Sequence, residues 1–464
     1  MADPIKHVIV LMLENQSFDR LVGLTPGVDG VNPKAPLANP ETSTGKSIPQ
    51  NLSTQPRMDF DPPHDYDDVM AQIAGKDGPC SGFVDSFIGN NPKGNPSEIM
   101  AYYDRDYLPS LGTLAQQFVT CDRWFSSVPG PTWPNRFFVN SGTSLGHIDM
   151  PNLAHFDPAV HLYDQPTVFE RLSEAGHSWR IYFSDFSQTL LMIRQEAYAA
   201  NYRYFSTFES DCEDEASFPE YAFIEPRFFS PGENDQHPTS DIRRGDALIA
   251  QVYNAIRQNQ SLWESTLLII LYDEHGGFFE HVDPRQPQYK AKALPPDGNK
   301  TPEGFAFDLF GLRVPAVLVS PLLDPAVLHG VYDHTSVLRY LTEKFSLGAL
   351  GARVPTANNF ADELVWRERV RDDPPASLDV TMPPEDPKPT GLSEHQEALV
   401  AYSRYLESRM AKEPLPQGKS PQEFQQDIAQ RTLQTVEDVT QHGPVAAERL
   451  RLFLNSRGAS LPPR

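Results

Sequence analysis

Two short polar groups stand where apolar runs end. In LLIILYDEHGG, residues 267–271 run straight into Asp273, Glu274, His275 and two glycines, and in HVIVLMLEN, residues 8–13 run into Glu14 and Asn15. Adjacent carboxylates repel unless a positive charge sits between them, and a metal ion is one such charge. In an open α/β sheet the carboxyl ends of the strands face the ligand crevice, so Glu14, Asn15, Asp273 and Glu274 can converge on one point. Three carboxylates with an amide carbonyl suit a divalent cation such as Ca, Mg, Mn or Zn. Taken alone, either pair reads equally well as a strand end facing water.

A third group is Thr132 in SSVPGPTWPNRFFVNSGT, residues 126–143. The Pro129-Gly130-Pro131 turn precedes it, and Pro134 is tolerated in the first turn of a helix running through Arg136 to Val139. That places Thr132 at the N-cap, where free backbone NH groups and the positive dipole end favour an alkoxide and attract phosphate. The plainer reading is an N-cap and nothing more. Four histidines complete the inventory: His64 in FDPPHDYDD, His237 in NDQHPTSD, His281 in FFEHV and His334 in YDHTS. All lie beside acids, prolines or aromatics in loops or element ends, where phosphoester hydrolysis would draw its donors to the non-bridging oxygens and its leaving-group acid.

Such groups need rigid elements. Residues 8–13, 118–121, 179–183, 267–272 and 314–320 read as short buried strands, and their alternation with helical patterns predicts an α/β fold with a largely parallel sheet. Leu248, Ile249, Val252 and Ile256 recur at helical spacing within 243–260, which leads into the strand before Asp273. A second helix follows Asp333-His334-Thr335, with Asp333 or Thr335 as cap and Val337, Leu338, Leu341 and Phe345 on one face. Residues 30–60 and 284–304 read as surface excursions. The stretch DDPPASLDVTMPPEDPKPTG divides the chain into residues 1–370, a proline-rich linker at 371–393 and a helical region at 394–464, with helices expected over 394–410 and 421–440. That last region is either an appendage packed on the main domain or a separate interaction module.

The 464 residues, 39% hydrophobic, have material for a large core. No apolar run approaches the length of a membrane span, and no signal peptide is recognised, which leaves a cytoplasmic location or export by another route as the expectation. The sparse cysteines, Cys80, Cys121 and Cys212, argue against both disulfides and a thiolate metal site. A net charge of -23 disfavours nucleic acid and anionic membranes as partners.

Taken together, HVIVLMLENQSFD, DPPHDY, GPTWPNR with SGT, IEPRF, DQHPTSDIRRGDALI, TLLIILYDEHGGFFEHV and YDHTSVLRYL resemble the bacterial phospholipase C and acid phosphatase family of phosphoesterases, within the alkaline phosphatase-like superfamily. The resemblance implies an alkaline phosphatase-like sandwich and one metal held by Glu14, Asn15, Asp273 and Glu274. It also implies Thr132 as a nucleophile close to that metal, and His64, His237 and His334 as phosphate-binding or acid-base groups. The threonine in GPTWPNR is more similar to the phospholipase C branch. Arg136 reads either as a phosphate ligand or as a structural salt-bridge partner. His275 and His281 match motifs without an implied role. The expected reaction is phosphodiester hydrolysis through a phospho-threonine. The alternatives are phosphomonoester hydrolysis, sulfate or phosphonate ester hydrolysis, and a binding or effector protein on the same fold.

Overall fold

The computed structural model describes residues 3–151, 163–229, 231–289, 304–384, 391–410 and 439–463. The strands of its main sheet, in chain order, are β1 (His7–Leu13), β2 (Val119–Cys121), β3 (Trp179–Phe183), β4 (Tyr202–Tyr204), β5 (Tyr221–Glu225), β6 (Thr266–Tyr272), β7 (Ala316–Val319) and β8 (Ala326–Leu328). They lie side by side as β8-β2-β7-β6-β1-β5-β3-β4. All neighbours pair in parallel except β7, which runs against β6 and β2. This is the α/β architecture expected from the apolar runs. Every residue of β1 and β6 is buried, because a strand at the centre of a mostly parallel sheet is covered on both faces.

Register converts this pairing into a site. Leu13 lies opposite Tyr272, so Glu14-Asn15 and Asp273-Glu274 leave the sheet together at one edge. The helices that matter here are α1 (Thr132–Ser141), α2 (Ile242–Gln258), α3 (Thr335–Phe345), α4 (Glu394–Met410) and α5 (His442–Ser456). The side chain of Asp241 caps α2 by accepting from the Arg243 NH, and the chain passes from α2 through a short turn of helix capped by Asn259 into β6. The cap of α3 differs from expectation. His334 occupies that position without a side-chain capping bond, and Thr335 is the first helical residue.

In the C-terminal region, Leu399, Tyr402 and Leu406 of α4 and Leu450, Phe453 and Leu454 of α5 share one apolar core with the sheet. The Tyr402 hydroxyl donates to the Leu190 carbonyl at 2.7 Å. The helix expected over 421–440 lies outside the described residues but for its last two positions, as does most of the expected excursion at 284–304. The three cysteines are buried and unpaired. No described helix is long and apolar enough to cross a membrane.

His281 holds together the chain segments that follow the two acid pairs. Its Nδ1 lies 2.8 Å from Asp19 Oδ2, while the buried Arg313 reaches Asp19 at 3.2 Å and Glu280 at 2.6 Å. Burial disfavours the imidazolium, but the hydrogen bond and charge of Asp19, with Glu280, outweigh it and raise the His281 pKa to about 9. The sign follows from linkage: a raised histidine pKa contributes its full stability below the unfolded value of 6.5 and loses it as pH climbs through about 9. Urea unfolding between about pH 6 and about pH 10 will show a loss of stability in the wild type that is smaller in His281→Asn. Equal losses in the two proteins would remove His281 from this role.

Candidate active site

Asn15 and the two glycines after His275 explain how these loops meet. Asn15 adopts a left-handed φ of 56°, which asparagine tolerates better than most residues. Its NH donates to Asp273 Oδ1 at 3.0 Å, tying the two strand ends together. Gly276 and Gly277 also have positive φ. A Cβ on Gly276 would meet the Asn15 carbonyl oxygen at 2.1 Å, and one on Gly277 would meet the Pro63 carbonyl oxygen at 2.6 Å. Glycine is required there because the loops carrying Asn15 and His64 lie against the turn.

Glu14, Asn15, Thr132, Asp273 and Glu274 are all fully buried. The cation beside them is Arg136, itself 2% exposed. Arg136 Nη2 lies 3.1 Å from Glu14 Oε1, and Nε lies 3.1 Å from Asp273 Oδ2. Nη2 also faces the carbonyls of Met12 and Leu13 at 3.3 Å each. Of its two expected roles, the geometry fits the strut between strand ends. Burial disfavours both carboxylates. Glu14 is nevertheless held below the ordinary range by His395 and Arg136, while Asp273, facing Glu14 and Glu274 as well as Arg136, is pushed above it. Gln188 completes the hold on Glu14 by donating Nε2 to Oε1 at 2.8 Å, and its own NH donates to Glu225 at the end of β5.

Thr132 is the first residue of α1 rather than its cap. Pro131 takes the cap position in extended geometry. The Thr132 hydroxyl is therefore not spent on capping, and Oγ1 lies 3.4 Å from Asn15 Oδ1. The turn before it is braced by Asn135, whose Nδ2 donates to the carbonyls of Gly130 and Pro131 at 2.9 and 3.1 Å and whose Oδ1 accepts from the Val128 NH at 3.0 Å.

The histidines fall into distinct places. His64 is half-buried, with Nδ1 2.7 Å from the Pro62 carbonyl and Nε2 3.2 Å from Asn15 Nδ2. Burial would lower its pKa, but Glu274 and Asp61 raise it to about 10. The His237 ring packs edge-on against His64 with centroids 6.0 Å apart, and its Nε2 lies 3.6 Å from Asp61. His334 is placed differently from the expected phosphate or acid-base role. Its Nε2 meets the Asp273 carbonyl oxygen at 2.6 Å and its Nδ1 accepts from Trp124 Nε1 at 3.3 Å, so both nitrogens are engaged in bracing β6. Burial lowers its pKa to about 4. His275 likewise braces, with Nε2 2.7 Å from Gln72 Oε1, and Gln72 Nε2 donates to the Pro63 carbonyl at 2.8 Å.

Sequence reasoning missed His395. Its Nδ1 lies 3.1 Å from Glu14 Oε2, and its ring stacks on His237. The available signal was the S-x-x-Q pattern of Ser393 and Gln396, a capping box that marks a helix start but says nothing of its destination.

The donor set fits a divalent cation. Glu14 Oε2 and Glu274 Oε1 are buried carboxylate oxygens with no aligned hydrogen bond among the described residues; Glu14 precedes Asn15, which contacts Thr132 through Oδ1 and Asp273 through its NH. Glu14, Asp273 and Glu274 do not bring three donor atoms within 4.8 Å of one another. The described trio of acid and imidazole groups whose donor atoms lie within 4.8 Å of one another is Asp19, Glu280 and His281, and Arg313 already occupies it.

Comparison with known proteins gives a consistent picture. The model of the Phosphoesterase family matches residues 5–348. Non-specific phospholipase C3 of Arabidopsis thaliana is 33% identical over 81% of this chain and 76% of its own length. Non-specific phospholipase C4 of the same organism is 33% identical over 89% and 82%. Phospholipase C B of Mycobacterium tuberculosis is 28% identical over 83% and 80%. Among solved structures, a protein in the alkaline phosphatase superfamily from Vibrio parahaemolyticus aligns at 9% identity with a TM-score of 0.33, over 55% of this chain and 63% of that one.

If Arg136 is the strut, Arg136→Met leaves two buried carboxylates without their cation and costs roughly 3–5 kcal/mol in guanidinium unfolding. Arg136→Lys restores part of that, since it keeps the charge and loses the fork. A Met variant that unfolds like the wild type yet loses affinity for inorganic phosphate would make Arg136 a substrate ligand instead.

Proposed function

The chain belongs to the Phosphoesterase family, hydrolases of phosphoric esters, and from that premise we propose a phospholipase C-type reaction on a phospholipid head-group diester, with Thr132 as nucleophile. The observation that carries this reading is the Thr132 hydroxyl: free of capping, fully buried, and 3.4 Å from Oδ1 of Asn15, the residue that follows Glu14 and whose NH is tied to Asp273. Glu14, Asn15, Thr132, Asp273 and Glu274 would hold one divalent cation. When bound, it supplies Lewis-acid charge that lowers the pKa of a ligated hydroxyl and offsets charge on phosphoryl oxygens.

In the first step Thr132 Oγ1, as the alkoxide, forms a bond to phosphorus and the bond from phosphorus to the lipid alcohol breaks. The alcohol oxygen takes a proton from an imidazole, for which His64 and His237 are the candidates on the less buried side. The NH groups opening α1 face the phosphoryl oxygens. In the second step a water oxygen bonds to phosphorus, one of its protons returns to the imidazole, and the bond to Thr132 Oγ1 breaks to restore the alkoxide, freeing the phosphorylated head group. His334 and Arg136 act in this scheme by positioning Asp273 and Glu14. The charge of -23 suits a zwitterionic or cationic head group better than an anionic one.

The test compares wild type, Thr132→Ser and Thr132→Ala on bis-p-nitrophenyl phosphate and p-nitrophenyl phosphate, with and without chelator. The expected result is a wild-type rate abolished by chelator, lowered roughly 10³-fold or more in Thr132→Ala, retained in part by Thr132→Ser, and higher on the diester. A higher rate on the monoester would favour a phosphatase. Wild-type activity unchanged in Thr132→Ala would sink the nucleophile assignment.

A further inference from the structure

The family model matches residues 5–348, and α4, which begins at Glu394, sends a side chain to the acid at the end of β1. His395 is 2% exposed. Its Nδ1 stands 3.1 Å from Glu14 Oε2, one face stacks on His237 with centroids 6.4 Å apart, and its edge meets Phe228 at 5.2 Å. Nε2 has no hydrogen-bond partner among the described residues.

The start of α4 is fixed from both directions. Gln396 NH donates to Ser393 Oγ at 3.2 Å, and Ser393 NH donates to Gln396 Oε1 at 3.0 Å, a reciprocal capping box. Gln396 Nε2 then donates to the Phe228 carbonyl at 2.8 Å and to Glu233 at 2.7 Å, pinning this first turn to the loop after β5. His395, one residue earlier, has little freedom to point elsewhere. Glu14 is thus approached from three chain segments: Oε1 by Gln188 and Arg136, Oε2 by His395.

We propose that His395 is a positioning residue for Glu14, so that the first turn of α4 is a working part of the active centre. The inference rests on the reading of Glu14 as a cation ligand given above. Oε1 of Glu14 is held by Gln188 and Arg136 while His395 Nδ1 stands 3.1 Å from Oε2, so together they limit how the carboxylate can turn, and groups that orient a ligand in this way affect metal affinity and turnover rather than substrate capture. Without His395, Glu14 Oε2 loses its neighbour and the carboxylate is free to turn toward Arg136.

The experiment uses the full chain, Mn²⁺ alone as the probe in calorimetric titration, and kinetics on bis-p-nitrophenyl phosphate. His395→Ala is expected to weaken Mn²⁺ binding and lower kcat by about 10–100-fold with KM little changed. His395→Asn places an amide NH₂ where Nδ1 stood and recovers most of both. His395→Gln reaches toward the Nε2 position and does not. Tyr402→Phe, which removes the tether of α4 to Leu190, lowers the Tm while leaving Mn²⁺ affinity intact, so simple loosening of the helix is told apart from loss of the Glu14 contact. Wild-type Mn²⁺ affinity and kcat in His395→Ala would overturn the proposal, as would rescue by Gln rather than Asn. A wild type that neither binds Mn²⁺ nor turns over the diester would instead bring down the function on which it rests.

Discussion

Arg136 lies between Glu14 and Asp273, and the site depends on that arrangement. Two fully buried carboxylates at neighbouring strand ends would carry a desolvation cost of several kcal/mol each without a partner. Arg136 meets one with Nη2 and the other with Nε, at 3.1 Å in both cases, and touches the last carbonyls of β1 as well. Because it rises from α1, the same side chain fixes the helix that begins with Thr132 against the sheet. Thr132 and the acids therefore share one strut, and a shift of α1 would disturb all of them at once.

Around this strut each loop has its own brace. His334 meets the Asp273 carbonyl, Gln188 joins Glu14 to Glu225, and His275 acts through Gln72 on the loop that carries His64. Gly276 and Gly277 let the backbones come close enough for these contacts. Farther out, Asp19, Glu280, His281 and Arg313 lock the segments that follow the acid pairs. Glu14 Oε2 and Glu274 Oε1 are among the buried oxygens left without an aligned hydrogen bond among the described residues.

Much of this was legible in the chain. Continuous apolar runs ended by acids marked β1 and β6, and parallel pairing with Leu13 opposite Tyr272 is what turns two separate acid pairs into neighbours. Residue types alone did not settle Arg136, since a guanidinium serves a phosphate and a carboxylate equally well. Thr132 read as a cap because a Thr before a proline-bearing first turn looks like one, and only the backbone places Pro131 there. His334 looked catalytic because it sits in a loop among polar residues, while its tertiary partners, Trp124 and the Asp273 carbonyl, occupy both nitrogens. His395 was hidden for a different reason: it lies beyond the proline-rich linker on a helix with an ordinary pattern, and its contact with Glu14 is purely tertiary.

The central claim is that Thr132 takes the phosphoryl group. Acid quenching during turnover of bis-p-nitrophenyl phosphate, followed by peptide mass spectrometry, tests it most directly. The account predicts a p-nitrophenylphosphoryl adduct on the peptide containing Thr132, localised to that hydroxyl and absent from the Thr132→Ala protein. An adduct on a histidine, or turnover at full rate with no adduct under conditions that trap one, would contradict it.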